Sequence, residues 1–141
     1  DELEEIKDKI KSFDQFMQDF KDGKLKPGAK GSNGKVYTFN NVYFETDKWD
    51  VRTESRAELD NLIEVMKTNP NLRIEVAGHA DNRGSASYNQ WLSNKRSNAV
   101  RDYLIKGGVN ASQLEVKGYG EDESFPTLDE NRRVEFKIFF E

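Results

Sequence analysis

One stretch, residues 72 to 100, constrains the fold of this chain most strongly; it reads LRIEVAGHADNRGSASYNQWLSNKRSNAV. Apolar residues alternate over 72–77, which predicts a β-strand with one buried face. From about residue 87 to residue 106 they recur at helical spacing, which predicts a long amphipathic helix. Gly84 lies in the loop between these two elements. We therefore predict a strand-loop-helix unit around which the other elements are arranged.

Arg96 occupies an unexpected position in the predicted helix. At about 100° per residue, it falls at the centre of the apolar stripe, with Asn89 close beside it. Burying a guanidinium costs roughly several kcal/mol of desolvation free energy unless an anion and hydrogen bonds compensate its charge. We therefore expect Arg96 to have a negatively charged partner. That partner is either a ligand or a carboxylate of a salt bridge within the domain. The stripe consists of Tyr88, Leu92, Ala99, Val100, Tyr103 and Leu104.

The loop before this helix carries Asp81, Asn82 and Gly84. Ordinary turn chemistry accounts for this composition, because Asp and Asn bond their own backbone and Gly permits a positive φ. The loop also reaches a helix N-terminus, where free N–H groups favour a carboxylate. A carboxylate for a cation and amides for an anion together suit a zwitterionic amino acid.

No pattern in the sequence indicates catalysis. The chain contains no cysteine, and His79 is its single histidine. A lone histidine beside a strand end is usually a hydrogen-bonded structural residue, since zinc and general-base sites need further partners. Nucleophile motifs and phosphate-binding glycine patterns are missing as well. We expect no catalytic residue, no metal site and no cofactor.

The flanking segments complete a β-α-β-α-β-β order. We predict a strand at 36–44 with a bulge or tight turn at its two asparagines, and a helix at about 54–68 capped by Thr53. A strand at 114–118, a polar loop opening at Gly118 and a strand at 133–140 follow. Strands separated by helices favour parallel crossovers, and the last two strands can pair antiparallel. The expected fold class is α+β, a two-layer sandwich of a mixed sheet with helices on one face.

The 141 residues suffice for one domain with a short appendage. Residues 1–22 read as an amphipathic helix with heptad spacing, residues 23–35 as a linker, and residues 36–141 as the domain. The helix packs on its own domain, forms a coiled coil, or is cut from a longer connecting helix. The net charge of −4 with scattered basic residues argues against nucleic-acid binding. No apolar run approaches the roughly 18 residues of a membrane span.

Motifs in the central stretch resemble the OmpA-like C-terminal domain family, which binds peptidoglycan. The family pattern is approximately G-H-T-D-x-x-G, then Y-N, then L-S with an arginine four residues after the leucine, then N-R-R-V. The resemblance covers about residues 41 to 139. The matching residues are Gly78-His79-Ala80-Asp81, Gly84, Tyr88-Asn89, Leu92-Ser93, Arg96, Asn131-Arg132-Arg133-Val134 and the preceding Tyr43-Phe44-Glu45.

The resemblance implies non-covalent binding of the diaminopimelate residue of a peptidoglycan stem peptide. It implies that Asp81 contacts the ligand's ammonium group and that Arg96 contacts a carboxylate. It also places further residues near the ligand, namely Phe44, Glu45, Ala80, Asn82, Leu92 and Arg132. The residues that it implies shape the loop are Gly78, His79, Gly84, Tyr88 and Asn89. Three departures from the pattern are Ala80 for threonine, Glu45 for aspartate, and a short segment at 121–130.

Three functions are therefore open. The expected one is a periplasmic wall anchor, attached to the outer membrane through a region absent from this chain, which begins without methionine. Under it, Asp81→Ala or Arg96→Ala abolishes peptidoglycan binding and leaves the fold intact. The alternative is a structural module of an envelope complex with a weakened pocket, in which residues 1–22 recruit a partner or self-associate. A wall-degrading enzyme is the third and is not expected.

Overall fold

The computed structural model describes residues 37–121 and 131–140, together with Gln18 and Asp22. Apart from those two residues, the predicted helix 1–22, the linker 23–35 and the segment 122–130 lie outside the described residues. The described elements, in chain order, are β1 (Tyr37–Tyr43), α1 (Thr53–Thr68), β2 (Leu72–Ala80), α2 (Ala86–Lys106), a 3₁₀ turn (Ala111–Gln113), β3 (Leu114–Glu121) and β4 (Arg133–Phe140).

The four strands form one mixed sheet in the order β1-β4-β2-β3. β2 pairs in parallel with β3, and β4 pairs antiparallel with both β1 and β2. The prediction that the last two strands pair with each other is therefore wrong. β4 is a central strand, and both its apolar Val134 and Phe136 and its charged Arg133 and Glu135 are buried. The predicted bulge in β1 is confirmed by a register shift between Phe39 and Val42.

The N-terminal boundaries of the two helices differ in how they are capped. Ser85 caps α2, because its side chain accepts the N–H of Tyr88 at 3.1 Å. The cap predicted for α1 is wrong by one residue: Thr53 is already helical, and Arg52 precedes it without a side-chain cap bond. Gly118 also lies inside β3 rather than at the start of a loop, since that strand continues to Glu121.

Both helices pack on the same face of the sheet. The core joins α1 and α2 to one face of β2, where Leu72, Ile74 and Val76 are buried. Two glycines let α2 lie directly on the strands: a Cβ at Gly78 would overlap the Ser93 carbonyl, and one at Gly118 would overlap Asn94. The expected two-layer α+β sandwich is therefore confirmed for the described residues. This close contact fixes the start of α2 above the end of β2, where the candidate site lies.

Candidate ligand-binding pocket

A cavity of about 270 Å³ opens between the end of β2 and the first turns of α2. Eight of the residues that line it are among those predicted: Ala80, Asp81, Gly84, Tyr88, Asn89, Leu92, Arg96 and Arg132. Three further lining residues, Thr46, Asp47 and Arg83, were missed. Thr46 and Asp47 follow β1 in a loop that carries no sequence motif. Arg83 lies between the motif residues Asp81 and Gly84. Its closeness to Asp81 in the sequence is the one signal that could have pointed to it.

Arg96 is fully buried, as the helical periodicity predicts. Its guanidinium donates to three backbone carbonyls, those of Lys48 at 2.9 Å, His79 at 3.0 Å and Glu45 at 3.1 Å. It also lies over the ring of Phe44, 5.2 Å from the centroid. Three carbonyl oxygens bond the guanidinium directly, and the carboxylates of Asp81 and Asp47 favour its charged form from further away. That a ligand supplies a directly bound anion stays a prediction. Burial, followed by the nearby positive charge of Arg132, lowers the pKa of Arg96 to about 10.

Asp81 is buried and accepts four hydrogen bonds. Its Oδ1 accepts the backbone N–H of Arg83 at 3.0 Å and Nε of the same residue at 3.3 Å. Its Oδ2 accepts Nη2 of Arg83 and Nη1 of Arg132, both at 3.0 Å. Burial acts to raise the pKa of the Asp81 carboxyl, but the bonds from Arg83 and Arg132 outweigh it and lower the pKa below its usual value. The carboxylate therefore stays ionised at neutral pH.

The two arginines that hold Asp81 differ in exposure. Arg132 is buried and also donates through Nε to the carbonyl of Phe44 at 3.0 Å, so β1 and the start of β4 fix it together. The side chain of Arg83 is 51% exposed and reaches Thr46 Oγ1 at 3.1 Å. Arg132 is thus a fixed part of the pocket wall, and Arg83 is its solvent-facing rim.

Tyr88 closes the pocket on the side of the 45–52 loop. Its hydroxyl donates to Asp47 at 2.9 Å, and this bond raises the pKa of Tyr88. Asp47 itself adopts a left-handed backbone conformation with φ of 56°. Asn89 lies next along the helix and donates to Glu121 at 3.4 Å. These contacts join three separate segments of the chain around one cavity.

Five residues named by the resemblance lie outside the cavity lining. Phe44 is buried behind Arg96, while the side chain of Glu45 is exposed and pairs loosely with Arg52 at 3.8 Å. Asn82 is exposed on the loop. The other two are in β2, where Gly78 contacts α2 and His79 supplies a carbonyl to Arg96.

The imidazole of His79 belongs to a polar cluster beside the cavity rather than to its wall. Its Nε2 lies 3.6 Å from Glu135 Oε2, and its ring stacks on Tyr119 at 5.3 Å between centroids. Burial acts to raise the pKa of Glu135, but hydrogen bonds and charges of His79 and Arg133 outweigh it and lower the pKa. This arrangement matches the structural role expected of the lone histidine.

The charges around the cavity favour an anionic or zwitterionic ligand. Arg83, Arg96 and Arg132 face Asp47 and Asp81, so basic lining residues outnumber acidic ones by three to two. Within residues 37–121 and 131–140, the structure holds no cluster of three or more His, Asp or Glu side chains fit for a metal. In the same described part of the chain, no helix has both the length and the apolarity that crossing a membrane requires.

Comparison with known proteins places these features in a family. A model of the OmpA family matches residues 43–135, about two thirds of the chain. The chain belongs to this family. Outer membrane porin F of Pseudomonas aeruginosa is 41% identical over an alignment of 106 residues, and the match covers 69% of this chain and 30% of that protein.

The chain is also 32% identical to the peptidoglycan-associated lipoprotein of Rhizobium meliloti, over 77% of this chain and 61% of that protein. It therefore spans less than two thirds of the length of either relative. The crystal structure of the peptidoglycan-associated lipoprotein from Burkholderia pseudomallei superposes with a TM-score of 0.66 at 30% identity. The superposition covers 70% of this chain and 89% of that one. The α+β fold of this family is thus the fold observed here.

Proposed function

We propose that this domain binds peptidoglycan without covalent chemistry and anchors a cell-envelope protein to the wall. The proposed ligand is the diaminopimelate residue of the stem peptide, and the protein is not an enzyme. The observation that carries the proposal is the cavity itself, in which a buried carboxylate and three arginines meet. Relatives of this chain that are named peptidoglycan-associated lipoprotein support the same ligand class.

The ammonium group of the ligand binds at Asp81. A carboxylate offers about four acceptor positions, and all four are used by Arg83 and Arg132. Arg132 is buried and fixed, so the ligand displaces the exposed Arg83 side chain instead.

The carboxylate group of the ligand binds at Arg96. A guanidinium has five N–H donors, and Arg96 gives three of them to carbonyls of the protein. The remaining two belong to a side chain that lines the cavity. The α2 helix begins at Ala86, next to the lining residue Gly84, and the dipole at a helix N-terminus favours an anion. Diaminopimelate carries both an ammonium group, which Asp81 would bind, and a carboxylate group, which Arg96 would bind.

Co-sedimentation with purified sacculi tests this proposal. Asp81→Asn removes the charge that receives the ammonium, and we expect binding to fall by at least roughly thirtyfold. The matched control is Asp102→Asn, an exposed aspartate on α2 that pairs only with Arg101 at 3.7 Å among the described contacts. Thermal melts of both variants must show a folded protein. Unchanged binding by folded Asp81→Asn would contradict the proposal, and release of soluble muropeptides would contradict a non-catalytic role.

Arg96→Ala is not a clean test of binding. The variant would leave three buried carbonyls without their donor, at roughly 1–3 kcal/mol for each unsatisfied group. We therefore revise the expectation that this substitution leaves the fold intact. Arg96 both builds the pocket and is proposed to contact the ligand.

A further inference from the structure

Both tryptophans of the chain lie side by side on the surface next to the cavity. Trp49 is 38% exposed and Trp91 is 44% exposed, and their rings meet edge to face with centroids 5.5 Å apart. Tyr88, 37% exposed, lies 5.7 Å from Trp91 on its other side. We call these three residues the aromatic patch. Contiguous exposed aromatic surface of this kind marks binding sites more often than chance packing.

The aromatic patch is continuous with the cavity. Tyr88 belongs to both, since it also lines the pocket. Trp91 follows three residues later on α2, a rise of about 4.5 Å along the helix axis. A ligand longer than one amino acid can therefore reach the patch from the cavity.

The side chain of Lys95 lies over part of the aromatic patch. Its ammonium is 5.5 Å from the Trp91 ring centroid and 6.0 Å from that of Trp49. The exposed remainder of the indole rings thus offers apolar surface beside a hydrogen-bond donor. A pyranose ring has matching chemistry, with C–H groups on its faces and hydroxyl or acetamido groups at its edges.

We propose that the aromatic patch is a glycan subsite that stacks an N-acetylated hexosamine of the strand to which the stem peptide is attached. The inference rests on the proposed function, because it assumes that the cavity holds the diaminopimelate residue. Two residues link diaminopimelate to the sugar in a stem peptide. Two to three extended residues reach about 7–11 Å, enough to pass from the cavity to the patch.

A competing explanation is that the two tryptophans only fasten the 45–52 loop to α2. Trp49 follows Lys48, whose carbonyl accepts a hydrogen bond from Arg96. If fastening were the only role, loss of a tryptophan would weaken every ligand of the cavity alike. A glycan subsite instead affects only ligands that carry sugar, and this difference separates the two explanations.

The test measures the affinity of the complete chain for two ligands, a diaminopimelate tripeptide and the same tripeptide carrying its N-acetylated disaccharide. We expect the sugar to tighten binding about tenfold. Trp91→Gln should remove that gain and leave the affinity for the sugar-free peptide unchanged. The matched control is Asn98→Ala, an exposed position two turns further along α2. Since the chain has two tryptophans, its emission should shift more with the disaccharide ligand than with the bare peptide.

The outcomes separate this inference from the proposed function. Equal affinity of the unmodified protein for both ligands overturns the glycan subsite and leaves the diaminopimelate pocket standing. Equal weakening of both ligands by Trp91→Gln also overturns it in favour of loop fastening. Binding of neither ligand by the unmodified protein overturns both proposals.

Discussion

At the scale of single residues, the half-exposed side chain of Arg83 contacts the buried carboxylate of Asp81. Arg83 donates three of the four hydrogen bonds that the carboxylate accepts, two of them from its side chain, yet that side chain is half exposed. Exposed ion pairs are weak, because water competes for both partners. The contact therefore holds Asp81 in place, and under the proposed function it is the contact that the ligand's ammonium displaces.

Replacing Arg83 with glutamine should tighten binding of a diaminopimelate peptide, by roughly three- to fivefold. The physical reason is that the ligand's ammonium no longer has to displace a guanidinium. Titration calorimetry measures the change, and Arg101→Gln on the distant end of α2 is the control. A weaker complex would show that Arg83 contacts the ligand more than it competes with it.

The burial of Arg96 could be predicted from helical periodicity, but its partners could not. The carbonyls of Glu45 and Lys48 lie about 50 positions earlier in the chain, and no side-chain pattern marks a backbone acceptor. For the same reason Phe44 could be named as a site residue, but the hydrogen bond that Arg132 donates to its carbonyl could not be predicted. The sequence therefore indicated a charged partner for Arg96 but not the three backbone carbonyls that bond it.

At the scale of secondary-structure elements, the site depends on how closely α2 lies on the sheet. Gly78 leaves no room for a side chain, because a methyl group would overlap the Ser93 carbonyl and the Ser97 hydroxyl. That hydroxyl lies 3.1 Å from the Ser93 carbonyl and 2.9 Å from the Lys117 carbonyl. The helix is thus held by contacts that tolerate no added volume.

Gly78→Ala should lower the free energy of unfolding by about 1–3 kcal/mol, since it overpacks a close contact. Chemical denaturation measures this loss. The same substitution in a Ser97→Ala background tests the cause, because the hydroxyl is gone but the backbone carbonyl remains. We expect the cost to stay above about 1 kcal/mol. Full recovery there would show that the hydroxyl alone causes the clash.

Element types follow from local periodicity, whereas strand order does not. Alternation predicts β2 and β4, and helical spacing with caps predicts α2, because each signal lies within the element itself. The insertion of β4 between β1 and β2 depends on pairing between residues that are far apart in sequence. Charged Arg133 and Glu135 alternate with apolar Val134 and Phe136, which by pattern alone predicts one exposed face, yet all four residues are buried.

At the scale of the whole molecule, acid should destabilise the fold through two buried carboxylates. The pKa values of Asp81 and Glu135 are both lowered in the folded protein. A carboxyl group whose pKa is lower in the folded than in the unfolded protein stabilises the fold at pH values above its unfolded-state pKa, about 4. This stabilisation is lost as the pH falls through the folded-state pKa. We therefore expect the contribution of these groups to be constant from pH 5 to 8 and to decline below about 4.

Denaturant unfolding across this pH range measures the effect. Glu135→Gln should reduce the slope of stability against pH below about 4, because one of the two groups no longer titrates. Lys67→Gln, on an exposed face of α1, is the control for a generic change in charge. An unaltered acid slope in Glu135→Gln would contradict this assignment.

The predicted helix of residues 1–22 and its self-association stay predictions, testable by light scattering.

The central claim is that the cavity recognises a side chain that ends in both an ammonium and a carboxylate. Calorimetric titration with a diaminopimelate tripeptide and its lysine analogue tests it most directly, because lysine lacks only the terminal carboxylate. We expect the diaminopimelate peptide to bind at least roughly thirtyfold more tightly, as loss of a buried charged contact costs about 2–5 kcal/mol. Equal affinities, or no binding of either peptide, would contradict the account.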